Sequence, residues 1–329
     1  MTEIPAVRAA PPEDDERETL GQRLAWHLYT SMERIAMGWP ERPARLLFEG
    51  YARAGYRLMR KARATVSKNY GQVLGRPPGS DLVQAAVREG FSLYARYWYE
   101  SFAVRTWDRD RVDRTFHIQN AERLDKALAA GRGCIAALPH LGNWDVAGKW
   151  LAGHYKMVAV AEQLKPRRMY ELFLQHRLDL GMEIVPLTED RSAGIQLAQM
   201  LADNYVVTLV ADRDLGGRGV DCEMFGRTRK VPAGPALLSL STGAPLLACS
   251  TYTADDGWLC HIGEPLEIER TGEMRADVTA LTRLLAAEFE RAIAARPTDW
   301  HMFQPAWDDG DGAAAVPGAP PAAGPPAPG

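Results

Sequence analysis

The chain has 329 residues, of which 46% are hydrophobic and 25% charged, and its formal net charge is −3. This composition is typical of a globular protein, and the net charge excludes a broadly basic nucleic-acid-binding protein. No stretch approaches the ~18 consecutive apolar residues of a membrane-spanning helix. We therefore predict a protein that is soluble or lies on a membrane and has no nucleic-acid partner.

Both ends of the chain have compositions typical of disorder. Residues 1–18 are acidic and rich in Pro and Ala, and residues 308–329 form a tail of Pro, Ala and Gly. The N-terminal stretch also lacks the basic and then apolar layout of a secretory signal peptide. The folded domain is therefore predicted to span residues 19–307.

The first part of this domain is predicted to be helical. An amphipathic helix is indicated by apolar residues at three- to four-residue spacing, namely Leu20, Leu24, Leu28, Met32 and Ile35. A second helical stretch covers residues 46–58, and a third, rich in aromatic residues, covers residues 82–104. We expect the aromatic side chains to form core and to line a groove that could hold a long apolar ligand.

A basic run overlaps the second helical stretch. Between Arg42 and Lys68 the chain carries eight basic residues and a single acidic one, Glu49. In a chain of negative net charge, this excess favours a surface that meets anionic lipid, where each basic side chain near the bilayer contributes about 1 kcal/mol. A solvated helix face packed on the domain accounts for the same charges equally well. Both interpretations stay open.

From Gly133 onward, short apolar strands alternate with helices, which predicts right-handed βαβ units and a parallel sheet covered on both faces. The strands are predicted at residues 133–138, 156–161, 183–187 and 205–211, and the helices at 145–151, 167–180 and 192–203. A later hairpin is predicted from strands at 246–252 and 258–268, followed by a helix at 278–295. The expected fold is α/β: one domain with a central, mostly parallel sheet flanked by helices, plus a helical N-terminal region that contacts the membrane.

A titratable pair follows the first of these strands. His140 comes directly after Pro139, Gly142 and Asn143 form a corner, and Asp145 stands at the start of a predicted helix. A neutral imidazole at such a corner can act as a general base toward a hydroxyl, with a carboxylate fixing its tautomer. The structural alternative is a histidine that caps the turn through one ring nitrogen. Backbone N–H groups around Gly142 and Asn143 are candidate donors to an oxyanion.

A second carboxylate candidate, Asp212, follows the buried strand at 205–211. The carboxyl ends of parallel strands lie at one edge of a sheet, so Asp212 and His140 can converge although they are far apart in the chain. A carboxylate beside an imidazole favours its protonated form. The alternative is a surface cluster formed by Asp212, Arg213 and Asp214. Which aspartate would serve His140 is open.

Other motifs exclude several kinds of chemistry. No set of His, Cys and carboxylate residues has metal-ligand spacing, and no G-x-S-x-G motif of a serine hydrolase is present. The segment Gly216-Gly217-Arg218-Gly219 lacks both common phosphate-binding patterns and is predicted to be a loop. Reduced thiols are expected for the four cysteines, which have no C-x-x-C spacing: Cys134, Cys222, Cys249 and Cys260.

The block Leu138-Pro139-His140-Leu141-Gly142-Asn143-Trp144-Asp145 resembles the catalytic block of the bacterial lauroyl/myristoyl lipid acyltransferases. More narrowly, it is similar to that of the actinobacterial phosphatidylinositol mannoside acyltransferases. The resemblance continues in order through residues 160–166, 176–177, 180–181, 211–215, 225–226, 234–236 and 299–305. It thus covers nearly the whole predicted domain, and several motifs in order are far more specific than one His–Asp spacing.

This resemblance implies transfer of a long acyl chain, typically palmitoyl, from acyl-CoA to a mannose hydroxyl of a phosphatidylinositol mannoside. The expected location is peripheral, on the anionic cytoplasmic face of the plasma membrane, and no cofactor besides the acyl-CoA substrate is expected. His140 matches the catalytic histidine and Asp145 the motif aspartate. The residues predicted to bind substrate are Gly142, Asn143, Glu162, Arg177 and Arg213.

Two positions within the resemblance leave questions. Asp212 stands where the mannoside branch usually has a glutamate that forms a charge relay with the histidine. Because aspartate is one methylene shorter, the relay either forms directly or needs a backbone shift or a water. Arg177 matches an arginine expected to pair with a motif carboxylate, and an ordinary helix-face arginine is the alternative.

Two rival functions remain at this point. The nearer is the same acyl transfer to a different glycolipid or to an aminolipid. The more distant is a non-catalytic lipid-binding protein that keeps a vestigial site, against which the intact block at residues 138–145 argues.

Overall fold

The structure is a computed structural model that describes residues 19–163, 166–187, 192–214 and 216–307. The two tails predicted to be disordered, residues 1–18 and 308–329, lie outside the described residues. The described strands and helices form a single α/β domain, so the predicted fold class is confirmed.

The central sheet has seven strands in the order β1-β9-β8-β2-β5-β3-β4, and a separate two-stranded sheet pairs β6 with β7. All neighbours in the large sheet are parallel except β8 and β9, which form the antiparallel hairpin expected from the sequence. The strands are β1 (Phe116–Gln119), β2 (Cys134–Leu138), β3 (Met157–Glu162), β4 (Glu183–Leu187), β5 (Val206–Val210), β6 (Val220–Met224), β7 (Arg227–Val231), β8 (Leu246–Ala254) and β9 (Gly257–Pro265).

Helices flank the sheet on both faces. In the described part of the chain they are α1 (Leu20–Gly38), α2 (Glu41–Leu58), α3 (Arg60–Leu74), α4 (Asp81–Ala103), α5 (Arg109–Thr115), α6 (Glu122–Ala129), α7 (Trp144–His154), α8 (Arg167–Asp179), α9 (Ser192–Ala202), α10 (Gly234–Thr242) and α11 (Met274–Ala295). None of the helices in this described part is long and apolar enough to cross a membrane.

Strand β2 lies in the middle of the sheet, and all five of its residues are buried. Successive side chains of a strand point to opposite faces, so Ile135 packs in the core on one face and Ala136 in the core on the other. Burying an isoleucine side chain such as that of Ile135 contributes roughly 1.5–3 kcal/mol. An uninterrupted apolar run is therefore what a parallel strand covered on both faces requires.

The N-terminal helices pack around the long helix α4, and α3 also holds the C-terminal segment of the domain. The Asn69 side chain donates to the carbonyl oxygens of Met302 and Gln304 at 2.9 and 2.8 Å. Its own oxygen accepts from the Ala306 amide at 3.1 Å. These bonds fix the segment that follows α11 against α3.

Three details of the sequence prediction need correction. The stretch predicted as a helix at 46–58 lies within the longer α2, and α3, which begins after the backbone at Met59 leaves helical geometry (φ −86°, ψ 65°), was not predicted. Strand β1 was not predicted, since its four residues are too few to make a pattern. Strand β7 was not predicted because it is polar; it pairs with β6 across a tight turn.

The predicted amphipathic helix α1 exists, but its apolar stripe is only partly buried. Met32 and Ile35 pack against the core, whereas Leu20 and Leu24 are 84% and 71% exposed. The exposed part of this stripe has no packing partner within the described domain, so it is a candidate surface for contact with lipid.

Candidate active site

The candidate site is built at the corner that follows β2. Leu141 forms a short antiparallel bridge with Trp300, from the segment that follows α11. In this bridge the His301 amide donates to the His140 carbonyl at 2.8 Å, and the Gly142 amide donates to the Asp299 carbonyl at 3.0 Å. The backbone on both sides of the histidine is therefore tied to a second segment.

Gly142 adopts a backbone conformation that this corner requires. Its φ is +67°, and a Cβ atom there would lie 2.3 Å from the Thr251 carbonyl oxygen. Only glycine fits both conditions. Because the Gly142 amide already donates to Asp299, the structure does not support the expectation that it binds an oxyanion.

Asn143 is fully buried and caps helix α7. Its side-chain oxygen accepts from the amides of Asp145 and Val146, both at 3.1 Å. This is the usual way in which an N-cap residue satisfies the first free N–H groups of a helix. Neither Gly142 nor Asn143 lines the cavity next to His140, so the structure gives these two predicted substrate-binding residues a role in shaping the corner.

His140 is paired directly with Asp212. Its Nδ1 atom lies 2.5 Å from Oδ1 of Asp212, which is fully buried. Strands β2 and β5 are adjacent, with Leu138 opposite Val210, so the two residues that follow these strands meet at the same edge. Neither a water nor a backbone shift is needed for the shorter aspartate side chain to make this contact.

Two further groups hold the Asp212 side chain and its backbone. The Trp300 indole Nε1 donates to Oδ2 at 2.8 Å. The buried guanidinium of Arg229, on β7, donates to the Asp212 carbonyl oxygen and lies over the rings of Trp300 and Trp307. Both oxygens of the carboxylate therefore have a partner.

Burial alone would raise the pKa of Asp212. The neighbouring His140, the Arg229 guanidinium and the indole N–H of Trp300 outweigh burial and hold the pKa well below its usual range. Asp212 is thus an ionised acceptor at neutral pH. It favours the His140 tautomer that carries a proton on Nδ1, in which the Nε2 lone pair can accept a proton.

Asp145 belongs to a different cluster. The Tyr97 hydroxyl donates to its Oδ2 at 3.2 Å, and Nε of Arg177 lies 3.6 Å from its Oδ1. The expected pairing of Arg177 with a motif carboxylate is therefore present. Among the described contacts, Asp145 has none with His140, so of the two candidate aspartates it is Asp212 that touches the histidine.

Glu162 and Arg213 form an ion pair at the same sheet edge, with 3.2 Å between Oε2 and Nη2. Glu162 ends β3, and Arg213 follows Asp212 just past β5. Both side chains are mostly buried, and together with Arg177 they line the cavity next to His140. Three of the five predicted substrate-binding residues are thus brought together at one place.

The cavity has a volume of about 1990 Å³. This exceeds the roughly 300–1,000 Å³ of most small-molecule pockets. Tyr94, Tyr97 and Trp98 of α4 line it, which confirms the expectation that aromatic residues of this helix border a groove. The lining is largely apolar and continues over both faces of the sheet, with Ala136 on one face and Leu209 on the other.

Sequence reasoning missed three residues of this site: Arg229, Trp300 and His301. Trp300 and His301 lie in a segment that entered the resemblance, but nothing in the sequence indicates that this segment bridges to the corner at His140. Arg229 lies in a polar strand that gave no signal at all. The four cysteines are all free and buried, as expected.

Comparisons with known proteins show which family this chain is similar to. Residues 12–309 match the family model described as bacterial lipid A biosynthesis acyltransferase. The chain is 38% identical over 290 residues to a phosphatidylinositol mannoside acyltransferase of Mycolicibacterium smegmatis (strain ATCC 700084 / mc(2)155), covering 88% of this chain and 90% of that protein. It is also 38% identical over 284 residues to the protein of the same name from Mycobacterium tuberculosis (strain ATCC 25618 / H37Rv), covering 83% and 87%.

Proposed function

Because this chain belongs to the bacterial lipid A biosynthesis acyltransferase family, we propose that it moves a long-chain acyl group, typically palmitoyl, from acyl-CoA to a mannose hydroxyl of a phosphatidylinositol mannoside. The names of the two relatives supply the acceptor class. The observation that carries the proposed chemistry is the contact of His140 with the buried carboxylate of Asp212 beside a large apolar cavity.

In the proposed reaction, Nε2 of His140 removes the proton of the mannose hydroxyl while the oxygen attacks the thioester carbonyl carbon. A carbon–oxygen bond forms, and the carbonyl oxygen becomes an oxyanion. When the oxyanion collapses, the carbon–sulfur bond breaks and coenzyme A leaves as its thiolate. The proton on Nε2 then returns to that thiolate, so His140 ends in its starting state and no covalent enzyme intermediate forms.

Asp212 positions the imidazole and stabilises the imidazolium that forms during attack. A buried carboxylate on the opposite ring nitrogen has this role in other histidine-based sites. Trp300 and Arg229 keep the carboxylate in place and ionised. The chemistry therefore rests on side chains that follow β2 and β5, on Arg229 of β7 and on the segment that follows α11.

The cavity offers features that suit both substrates. Its apolar lining can take an acyl chain, because burial of each methylene contributes about 0.8 kcal/mol. Arg177 and Arg213 bring guanidinium groups to the cavity lining, each beside a carboxylate, and Nε of Arg213 is buried without a hydrogen-bond partner among the described residues. A free N–H donor of this kind suits an anionic headgroup such as a phosphodiester.

We also propose that α1 and α2 lie on the anionic cytoplasmic surface of the plasma membrane. Leu20, Leu24, Leu46 and Leu58 are strongly exposed on these helices. All but one of the eight basic residues between Arg42 and Lys68, four on α2 and four on the adjoining α3, are exposed as well. Exposed leucines beside exposed arginines are typical of helices that lie in the membrane interface.

The test is an acyl-transfer assay with radiolabelled palmitoyl-CoA and separate acceptors: a phosphatidylinositol mannoside, an unrelated glycolipid and an aminolipid. We expect the label to move to the mannoside. Labelling of another acceptor instead would reassign the acceptor and leave the chemistry in place. Binding of lipid without thioester consumption for any acceptor would indicate a non-catalytic lipid-binding protein.

A further inference from the structure

The histidine beside the proposed base, His301, is a buried polar residue that the reaction described above does not use. It stands directly opposite His140 in the short bridge formed by Leu141 and Trp300. Side chains directly opposite each other in an antiparallel pair lie on the same face, with Cβ atoms about 4.5–5.5 Å apart. The two imidazoles therefore face the same side, and both line the cavity.

The Gly142 backbone is a polar group near the His301 ring, but it makes no hydrogen bond of normal geometry to it. The residue is 5% exposed, and neither ring nitrogen has a hydrogen-bond partner among the described residues. Its neighbours are the rings of Tyr94 and Tyr97, each with its centroid 5.3 Å away, and that of Trp144 at 6.2 Å. A buried polar group without a partner is unfavourable in a folded protein unless a ligand supplies the partner.

The ring is uncharged. Burial, together with the neighbouring His140, lowers the pKa of His301 to about 3. A neutral imidazole carries one N–H donor and one acceptor nitrogen. Such a ring can donate to a developing negative charge without losing its proton, as neutral histidines do at other enzyme sites.

The reaction needs a donor of this kind. Attack on a thioester places negative charge on the carbonyl oxygen, and one well-placed donor to that oxygen typically changes kcat by about 10²–10³. The Gly142 amide does not meet this need, because it donates to the Asp299 carbonyl, and neither Gly142 nor Asn143 lines the cavity.

We propose that His301 donates a hydrogen bond to the thioester carbonyl oxygen and stabilises the oxyanion that forms when the acceptor attacks. This inference rests on the proposed acyl transfer. His301 keeps its proton throughout, and the proton that moves is the one that His140 takes from the hydroxyl and returns to the thiolate. One bridge thus sets the base and the oxyanion donor side by side.

The test compares His301→Leu with His301→Gln, which keeps an N–H donor and no charge. We expect the leucine variant to lose about 10²–10³ in kcat, with KM for acyl-CoA and for acceptor changed less than about threefold, and the glutamine variant to recover part of the loss. Hydrolysis of palmitoyl-CoA without acceptor should fall by the same factor, because the same oxyanion forms. Thermal unfolding of each variant confirms that it is folded.

His176→Leu is the matched control. His176 is as buried as His301, also has an unpartnered ring nitrogen among the described residues, and does not line the cavity. Its kcat should stay near that of the wild type.

Three outcomes would overturn the inference. They are an unchanged kcat in folded His301→Leu, a rise in KM for acceptor with hydrolysis unchanged, and a glutamine variant as slow as the leucine variant. The second outcome would make His301 an acceptor-binding residue. If the wild type itself transfers no acyl group, the proposed function fails and this inference fails with it; an active wild type beside an equally active leucine variant rejects the inference alone.

Discussion

Nδ1 of His140 lies 2.5 Å from Oδ1 of Asp212, although the two residues are 72 positions apart in the chain. Adjacent parallel strands, β2 and β5, bring them to the same edge of the sheet. Asp145 is only five positions from His140, yet it faces Tyr97 and Arg177 instead. Proximity in sequence therefore did not identify the carboxylate that serves the histidine.

The first prediction separates the two aspartates. Asp212→Asn should lower kcat by about 10²–10⁴, because an amide can donate to Nδ1 and hold the wrong tautomer of His140. Asp145→Asn should lower kcat far less, since Asp145 has no described contact with His140. Asp212→Glu should keep more activity than Asp212→Asn, because it retains the carboxylate. Steady-state kinetics with labelled acyl-CoA measure all three, and a silent Asp212→Asn would contradict the assignment.

The second prediction concerns the support of Asp212. Trp300→Phe removes the indole N–H that donates to Oδ2 and keeps an aromatic ring. Hydrogen bonds to charged groups contribute about 1.5–3 kcal/mol, so we expect kcat to fall by roughly tenfold or more if the carboxylate shifts or takes up a proton.

Trp258→Phe provides the matched control for this variant. Trp258 is equally buried and donates to the carboxylate of Glu100 at 2.6 Å, away from His140. The Trp258→Phe variant should have a lower melting temperature than the wild type and a nearly unchanged kcat. Equal losses of kcat in the two variants would argue against a specific role for Trp300.

The third prediction concerns pH and stability. The pKa of His301 is lowered from 6.5 to about 3 in the folded protein, so between these values the unfolded chain binds a proton that the native protein does not. The contribution of neutral His301 to the free energy of unfolding is therefore fully present above the pKa of the unfolded chain, and it is lost as the pH falls toward about 3.

His301→Gln removes this titration. Between about pH 7 and pH 5, the melting temperature of the wild type should fall more steeply than that of the variant. Asp212 adds little to the difference, because its ordinary pKa of 3.8 lies below this range and both proteins contain it. Parallel curves would show that His301 is not held neutral by its surroundings.

The fourth prediction concerns the membrane. Leu20 and Leu24 are 84% and 71% exposed on α1, so replacing both with serine removes apolar area available to a bilayer. Binding to vesicles of phosphatidylglycerol and phosphatidylcholine should weaken by about tenfold or more, and wild-type binding should fall at high salt. Co-sedimentation measures both effects.

The matched control replaces two exposed leucines elsewhere, Leu82 on α4 and Leu178 on α8. This double serine variant should bind vesicles like the wild type. If it weakens binding as much as the α1 variant, exposed leucines act non-specifically and the proposed membrane face is wrong.

Much of the fold could be predicted from the sequence because its signals are local. Strand β2 and the helix after it are marked by a buried apolar run and a change of period, and the structure agrees within three residues at either end. Helix α3 could not be predicted, because it begins directly after Met59 without proline or a capping side chain. Strand β7 was missed because four of its five residues are polar, and one of its two buried residues, Arg229, is an arginine whose position depends on tertiary contacts.

Only the part of the candidate site that follows from the parallel arrangement of the strands could be predicted. Because the carboxyl ends of parallel strands lie at one edge of a sheet, the sequence predicts that Asp212 can approach His140. The contribution of Trp300 and His301 depends on a bridge between the corner at residue 141 and a segment that lies about 160 positions further along the chain, and local pattern carries no information about such a bridge. Likewise, the sequence suggested the Gly142 amide as a donor to an oxyanion, whereas in the structure this amide donates to the Asp299 carbonyl.

The central claim is that His140 is the base in an acyl transfer. The most direct measurement is kcat for transfer from labelled palmitoyl-CoA to a phosphatidylinositol mannoside by the wild type, by His140→Ala and by His117→Ala. The last is a control at an exposed histidine that is also paired with an aspartate, Asp256. We predict a loss of at least about 10²-fold in folded His140→Ala and none in His117→Ala. Equal turnover by wild type and His140→Ala would contradict the account.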